Sequence, residues 1–272
     1  MKKYIYYIFI FTILLSCKLN KEIDLNLPAY QEKTVVECYL EPGKPYEMLL
    51  TKSISYFDSL NPIQKNIFIT ITHNGKTDTL SYHKIPEIDT SSFKIYFHSS
   101  TTLVTDDYLN PYSLFIKDDL GNAITSTTTL IKPIKIDSIK YTFNKNKTAK
   151  NVSLFVNFTD DTLIENYYRL IVTKNGLNYN TKNTDDLYSD VNLKTSGMVA
   201  NILDRFDLND TLVVTLAHIS KDFYDFSKSI KAAERANGNP FVQPAAIKSN
   251  VTGNAIGIFA GFTYTRDTII IK

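Results

Sequence analysis

Few side chains in this sequence are of types that do chemistry. Histidines stand at His73, His83, His98 and His218, and cysteines at Cys17 and Cys38. Adjacent aspartates recur at Asp106-Asp107, Asp118-Asp119, Asp160-Asp161 and Asp185-Asp186. A zinc centre needs ligands about one helical turn apart or paired cysteines. No two of these histidines have that spacing, and no CxxC occurs. His73 precedes Asn74-Gly75 and reads as a turn residue, while the other three end strand-like stretches. A structural or solvent-facing role is expected for all four. Paired carboxylates can divide acid and base work or hold calcium. Each pair here lies in polar, turn-like sequence, where Asp accepts hydrogen bonds from nearby backbone amides. The spaced ligands of a calcium loop are missing. GxSxG, Walker A and GxGxxG patterns are also missing. The expectation is a non-enzymatic chain with no catalytic, metal-ligating or cofactor-binding residues.

The two cysteines have different surroundings. Cys38 sits in Thr34-Val35-Val36-Glu37-Cys38-Tyr39-Leu40 and reads as a small buried strand residue. Nothing local supplies the His and acid that a thiol nucleophile needs. Cys17 ends the stretch MKKYIYYIFIFTILLSC. Lys2 and Lys3 give a basic start, Tyr4 to Leu15 an apolar run broken only by Thr12, and Ser16 a small residue before the Cys. These are the parts of a secretory signal. The run is short of the roughly 20 residues that a spanning helix needs. Leu14-Leu15-Ser16-Cys17 resembles the bacterial lipobox. Residues 1–16 are therefore read as a lipoprotein signal peptide cut between Ser16 and Cys17. Cys17 is the expected lipid attachment, carrying palmitate-type acyl chains. At about 0.8 kcal/mol per buried methylene, two or three such chains hold a protein stably on a membrane. The following segment, 17–30, is polar, contains Pro28 and reads as a flexible tether. It mixes lysines with scattered acids, so the periplasmic and surface faces of the outer membrane both stay open.

The full chain carries 30 basic and 28 acidic residues, and loss of Lys2 and Lys3 with the signal leaves 28 of each. Without a basic block, nucleic acid is not an expected partner. High Tyr, Ile and Thr content favours pleated sheet.

Strand patterns separated by turn signals run from Thr34 to Ile131. They cover 34–40, 46–54, 66–72, 77–83, 93–97, 111–117 and 123–131. Glu41-Pro42-Gly43-Lys44-Pro45 reads as a turn, and Asn74-Gly75 as a tight hairpin. Lys132-Pro133 is the expected domain boundary. Beyond it, strands are expected at 135–143, 152–158, 167–173, 211–218, 256–264 and 268–272. Ser220 is a good N-cap, and Phe223, Phe226, Ile230 and Ala233 form one face of a helix over about 221–236. Asn237-Gly238 and Pro240 stop it. The expected architecture is mainly β. Two immunoglobulin-like or transthyretin-like sandwiches, 31–132 and 133–272, stand in tandem, and the helix packs on the second. One interleaved β domain would show the same signals.

Several segments together carry a family resemblance. They are Glu32-Lys33-Thr34-Val35-Val36-Glu37, Tyr39-Leu40-Glu41-Pro42-Gly43, Asp137-Ser138-Ile139, Asn166-Tyr167-Tyr168-Arg169-Leu170, Asn239-Pro240-Phe241 and Gly257-Ile258-Phe259-Ala260-Gly261. Their order is similar to a family of Bacteroidota outer-membrane lipoproteins, domain of unknown function 4249 (DUF4249). Cys38 stands where that pattern has Gly. The resemblance implies an outer-membrane lipoprotein associated with a TonB-dependent transporter, with no catalytic residues to carry over. A stand-alone adhesin or glycan-binding module, and a hydrolase without a local motif, are the alternatives. Asp58-Ser59-Leu60, Asp161-Thr162-Leu163 and Asp267-Thr268-Ile269 also resemble the short O-glycosylation acceptor of the same bacteria.

Overall fold

A computed structural model of the protein describes residues 31–53, 67–83, 98–117, 121–143, 151–174, 184–190, 197–236 and 246–272. The signal segment, Cys17 and the tether lie outside these residues. So do the strand expected at 93–97, Asp58-Ser59-Leu60, Asp118-Asp119 and the helix stop from Asn237 to Phe241. Among the described residues, no helix is long and apolar enough to cross a membrane.

The protein is mainly β, and most of its sheets are antiparallel. β1 (Thr34–Leu40) and β2 (Pro45–Lys52) pair through a turn in which Lys44 N–H donates to the Glu41 carbonyl at 3.0 Å. Gly43 takes φ 78° there, which a Cβ disfavours. β3 (Phe68–His73) and β4 (Lys76–Tyr82) form the hairpin expected at Asn-Gly. Asn74 and Gly75 both have positive φ, as a type I′ turn requires. β5 (His98–Leu103), β6 (Tyr112–Lys117) and β7 (Ala123–Thr128) complete the local set.

An eighth strand comes from far along the sequence. β14 (Ala255–Gly261) lies parallel to β1, giving the order β14-β1-β2-β5-β4-β3-β6-β7. A Cβ at Gly257 would lie 1.9 Å from the Val36 carbonyl oxygen, so this pairing admits only glycine there. The two ends of the sheet also meet. Thr252 N–H donates to the Thr125 carbonyl at 2.8 Å, and the Ser126 hydroxyl donates to the Asn250 carbonyl at 2.9 Å. The sheet encloses Val36, Cys38, Met48, Leu50, Ile69 and Leu114.

The second half is a two-sheet sandwich. β8 (Ile136–Phe143), β9 (Asn151–Thr159) and β12 (Gly197–Arg205) form the order β12-β9-β8. β10 (Tyr167–Lys174), β11 (Thr184–Ser189), β13 (Thr211–Ile219) and β15 (Thr263–Ile270) form β11-β10-β13-β15. Leu154, Val156, Tyr168, Leu170, Val214 and Leu216 fill the space between them. The broken alternation at Ile136 and Ile139 has a physical source, because the β8–β9 register shifts between Ile136 and Ser138.

Helix α1 (Lys221–Ala236) begins at the expected cap, where Ser220 Oγ accepts from Phe223 N–H at 3.2 Å. As expected it packs on the second sandwich, and it also reaches β14 of the first sheet. Phe223 and Phe226 share a core with Ile258 and Ala260 of β14 and with Ala217 and Ile219 of β13. Arg169 adds a clasp: it forks onto Asp185 with two bonds of 2.8 Å and lies over the rings of Phe223 and Phe262. Lys132-Pro133 lies between β7 and β8, but the first core also takes Val251, Ala255 and Phe259 from far beyond it, and β14 and α1 tie both cores into one unit, Glu32–Lys272.

Candidate functional site

The densest meeting of polar side chains lies at one end of the β10–β13 pair. Tyr168 of β10 stands opposite His218 of β13, and their rings stack at 5.1 Å. Strand alternation sends neighbouring side chains to opposite faces. Tyr168 enters the sandwich core, and Tyr167 turns toward α1, where its ring meets Tyr224 at 4.9 Å. Both tyrosines are buried.

The loop between β9 and β10 closes over this pair. Asn166 N–H donates to Asp190 Oδ1 at 2.7 Å. The Asn166 amide donates to the carbonyls of Asp161 (2.8 Å) and Ile164 (3.0 Å) and to Asp190 Oδ2 (3.2 Å). Those acceptors fix the amide's orientation and leave Asn166 Oδ1 facing His218 Nε2 at 3.1 Å. His218 Nδ1 faces the Lys132 carbonyl at 2.9 Å. Tyr168 donates its hydroxyl proton to Asp160 Oδ1. Asp160, Asn166, Asp190 and His218 are all buried.

The electrostatics follow from burial. Desolvation raises the Asp160 carboxyl above its ordinary range; the Tyr168 hydrogen bond opposes this, and the neighbouring Asp190 adds to it. Asp160 Oδ2 has no protein donor. Desolvation, then the Asp160 bond, push the Tyr168 phenol far up. Burial lowers the His218 imidazole, against the Lys132 carbonyl and Asp190. Both of its nitrogens face acceptors, so a neutral ring donates only one of the two bonds.

Chemically this is a carboxyl pair, a phenol and an imidazole, the group types of acid–base catalysis. Its members spend their hydrogen bonds on one another and on loop backbone. What the arrangement visibly does is hold the 160–166 loop. Asp161 Oδ1 caps Leu163 N–H at 3.0 Å, the turn role expected for that acid pair. Asp160 departs from it by turning inward. Leu163 and Ile164 are consequently displayed at 89% and 61% exposure.

A similar pair occurs in the first sheet. His73 of β3 stands opposite Tyr112 of β6, stacked at 3.7 Å. Tyr112 donates to the Thr105 carbonyl at 2.8 Å. His73 Nδ1 lies 3.2 Å from the Pro111 carbonyl and Nε2 3.3 Å from Asp107 Oδ2. Asp107 also accepts from Asn110 Nδ2, Leu109 N–H, Asn74 Nδ2 and Asn110 N–H. These donors, Asn110 foremost, hold its carboxyl far below the usual range. This is the turn capping expected of Asp106-Asp107.

The remaining sequence candidates separate. His83 is exposed, and His98 is buried with Nδ1 unpartnered. Burial, with His83 nearby, lowers His98 to about 4. Cys38 is a core residue, and burial followed by the Glu47 charge drives its thiol pKa up. Asp185 lies on β11 rather than in a turn and pairs with Arg169. Asp190 was not singled out in the sequence; it stands alone, and only pairing of β10 with β11 brings it to Asn166. Among the described residues, no three His, Cys, Asp or Glu side chains come together to hold a metal ion. A groove of about 400 Å³ at the opposite end of the sandwich is lined by Phe143, Phe206, Asp207 and Leu208.

Residues 20–268 match the family described as "Domain of unknown function (DUF4249)", and the chain belongs to it. No curated protein matches the sequence.

Proposed function

We propose that the protein is a non-enzymatic, lipid-anchored outer-membrane accessory protein that docks on a TonB-dependent transporter and helps it capture substrate. The observation that carries the non-enzymatic part is the direction of the Asp160–Asn166–Tyr168–Asp190–His218 network. Its buried hydrogen bonds point at loop backbone and at each other, which is the behaviour of a scaffold that positions a surface. The lipid anchor at Cys17 rests on the lipobox-like tetrad, and the transporter on the family resemblance. The test is a mild-detergent pull-down of the tagged full-length lipoprotein from its native membrane, with Cys17→Ala as control. One β-barrel transporter recovered in stoichiometric amount supports the reading. Recovery of the lipoprotein alone across detergents and growth substrates counts against it.

The groove at Phe143 favours the second reading, a glycan-binding or adhesive module. It lies at the loop end of a sandwich and carries a half-exposed aromatic ring. Binding on a glycan array that is lost in Phe143→Ala would select that reading.

A further inference from the structure

We infer that the tip of the 160–166 loop is a preformed docking knob for a protein partner whose apolar pocket is rimmed by lysine or arginine. A single exposed aliphatic residue on a soluble protein means nothing. Here two large ones, Leu163 and Ile164, are adjacent and stand out at 89% and 61% exposure. They are also held still. Asp161 Oδ1 binds Leu163 N–H, and the Asn166 amide binds the carbonyls of Asp161 and Ile164. The Asn166 backbone is locked in turn to Asp190, by N–H to Oδ1 at 2.7 Å and through the Asp190 N–H to the Asn166 carbonyl at 3.2 Å. Ordering a loop before binding removes an entropic cost from association. A rigid pair of aliphatics with no intramolecular cover fits that use.

The flanks select the occupant. Asp161 and Glu165 are exposed on either side of the aliphatic pair. Lys221 lies close enough to Glu165 to feel its charge, but it is bonded to Asp225 at 2.7 Å. An acidic collar is repelled by the anionic surfaces that attract basic membrane-binding segments. It complements a basic rim, and such complementarity steers association and makes it sensitive to salt. A protein pocket is therefore the occupant, with a lipid surface as the competing outcome.

The knob rests on the accessory reading above, with the transporter as its partner, and the experiment keeps the two apart. The full-length lipoprotein and its Leu163→Ser/Ile164→Ser variant are purified from native membranes side by side. Thermal unfolding verifies that the variant folds, and Asp161→Lys/Glu165→Lys provides a second, charge-reversed variant. The expected result is that the wild type retains its transporter, more so at low salt. The serine variant should lose retention by about tenfold or more, as removal of a central anchor does. The charge-reversed variant should lose its salt dependence. Equal retention by wild type and both variants overturns the knob and leaves the accessory reading standing. Absence of any transporter in the wild-type sample overturns both. Flotation of the Cys17→Ala protein with anionic vesicles, lost on Leu163→Ser/Ile164→Ser, would also overturn the protein pocket and assign the tip to lipid.

Discussion

Two cross-strand histidine–tyrosine pairs, each beside an aspartate, sit in the two halves of this molecule and behave oppositely. In the first sheet, His73 and Tyr112 lie next to Asp107, which collects donors from Asn74, Leu109 and Asn110. In the sandwich, Tyr168 and His218 lie next to Asp160, which has the Tyr168 hydroxyl as its side-chain donor, a smaller contribution from the Asp161 backbone and an acidic neighbour. The first carboxyl is held low and the second is driven high. Residue type does not set the chemistry. The supply of backbone and amide donors does, together with access to water.

The largest expected difference comes from the asparagines. Asn166→Ala strips donors from Asp190 and from two loop carbonyls in a buried place, and should cost about 3 kcal/mol in denaturant unfolding. Asn110→Ala, which removes one side-chain donor from the more exposed Asp107, should cost clearly less. Equal losses would break the contrast.

Acid should act next. His98 is buried and lowered to about 4 from an ordinary 6.5. A lowered histidine favours the fold fully above 6.5, and that contribution is lost as pH falls toward 4, at roughly 1.4 kcal/mol per pH unit at most. The unfolding profile of His98→Leu should be flatter than that of the wild type over this window.

The phenols should give a smaller difference. Tyr168→Phe leaves Asp160 without its donor, and Tyr112→Phe frees only the Thr105 carbonyl and hydroxyl. Losses of about 2 and about 1 kcal/mol respectively are expected from thermal unfolding.

The smallest effects are the most diagnostic, because their signs oppose. Asp160 has a raised value, so its contribution is complete below about 3.8 and is lost as pH rises through the raised value. Asp107 has a lowered value, so its contribution is present above about 3.8 and is lost as pH falls. Asp160→Asn, which cannot ionise, should therefore raise the melting temperature at pH 7 to 8 and leave it nearly unchanged at low pH. Asp107→Asn should lower it at neutral pH. Matching signs would show that the two sites do not differ as described.

Much of this fold was legible in the sequence. Alternation in Thr34–Leu40, Tyr112–Lys117 and Val152–Phe158 marked strands, Asn74-Gly75 marked its hairpin, and Ser220 its helix. The strands at His98–Leu103 and Thr184–Ser189 carry no such mark, because HSSTTL and TDDLYS are mostly polar and show no apolar alternation. Gly197–Arg205 alternates through Met198, Ala200 and Ile202, so this strand does carry a readable pattern. The site was half legible. Asp160-Asp161, His218 and Asn166-Tyr167-Tyr168 each stood out alone. Their convergence is a product of strand register, which local periodicity does not encode, and Asp190 carries no local signal. The groove at Phe143 likewise exists only because the end of β8 meets residues 206–208, far away in sequence.

The parallel pairing of Thr34–Leu40 with Ala255–Gly261 sets an order of events for the newborn chain. The first strand emerges early and finds β2 at once, but its other edge stays open until almost everything else has been delivered. An open edge is a template for pairing with other chains. Contacts between remote segments also form slowly, since the loop entropy must be lost before they are made. Completion of the first sheet is thus a late step, gated by arrival of residue 255. A nascent chain would need its β1 edge shielded until then. Gly257, where a side chain would strike the β1 backbone itself, becomes the checkpoint at which that wait succeeds or fails.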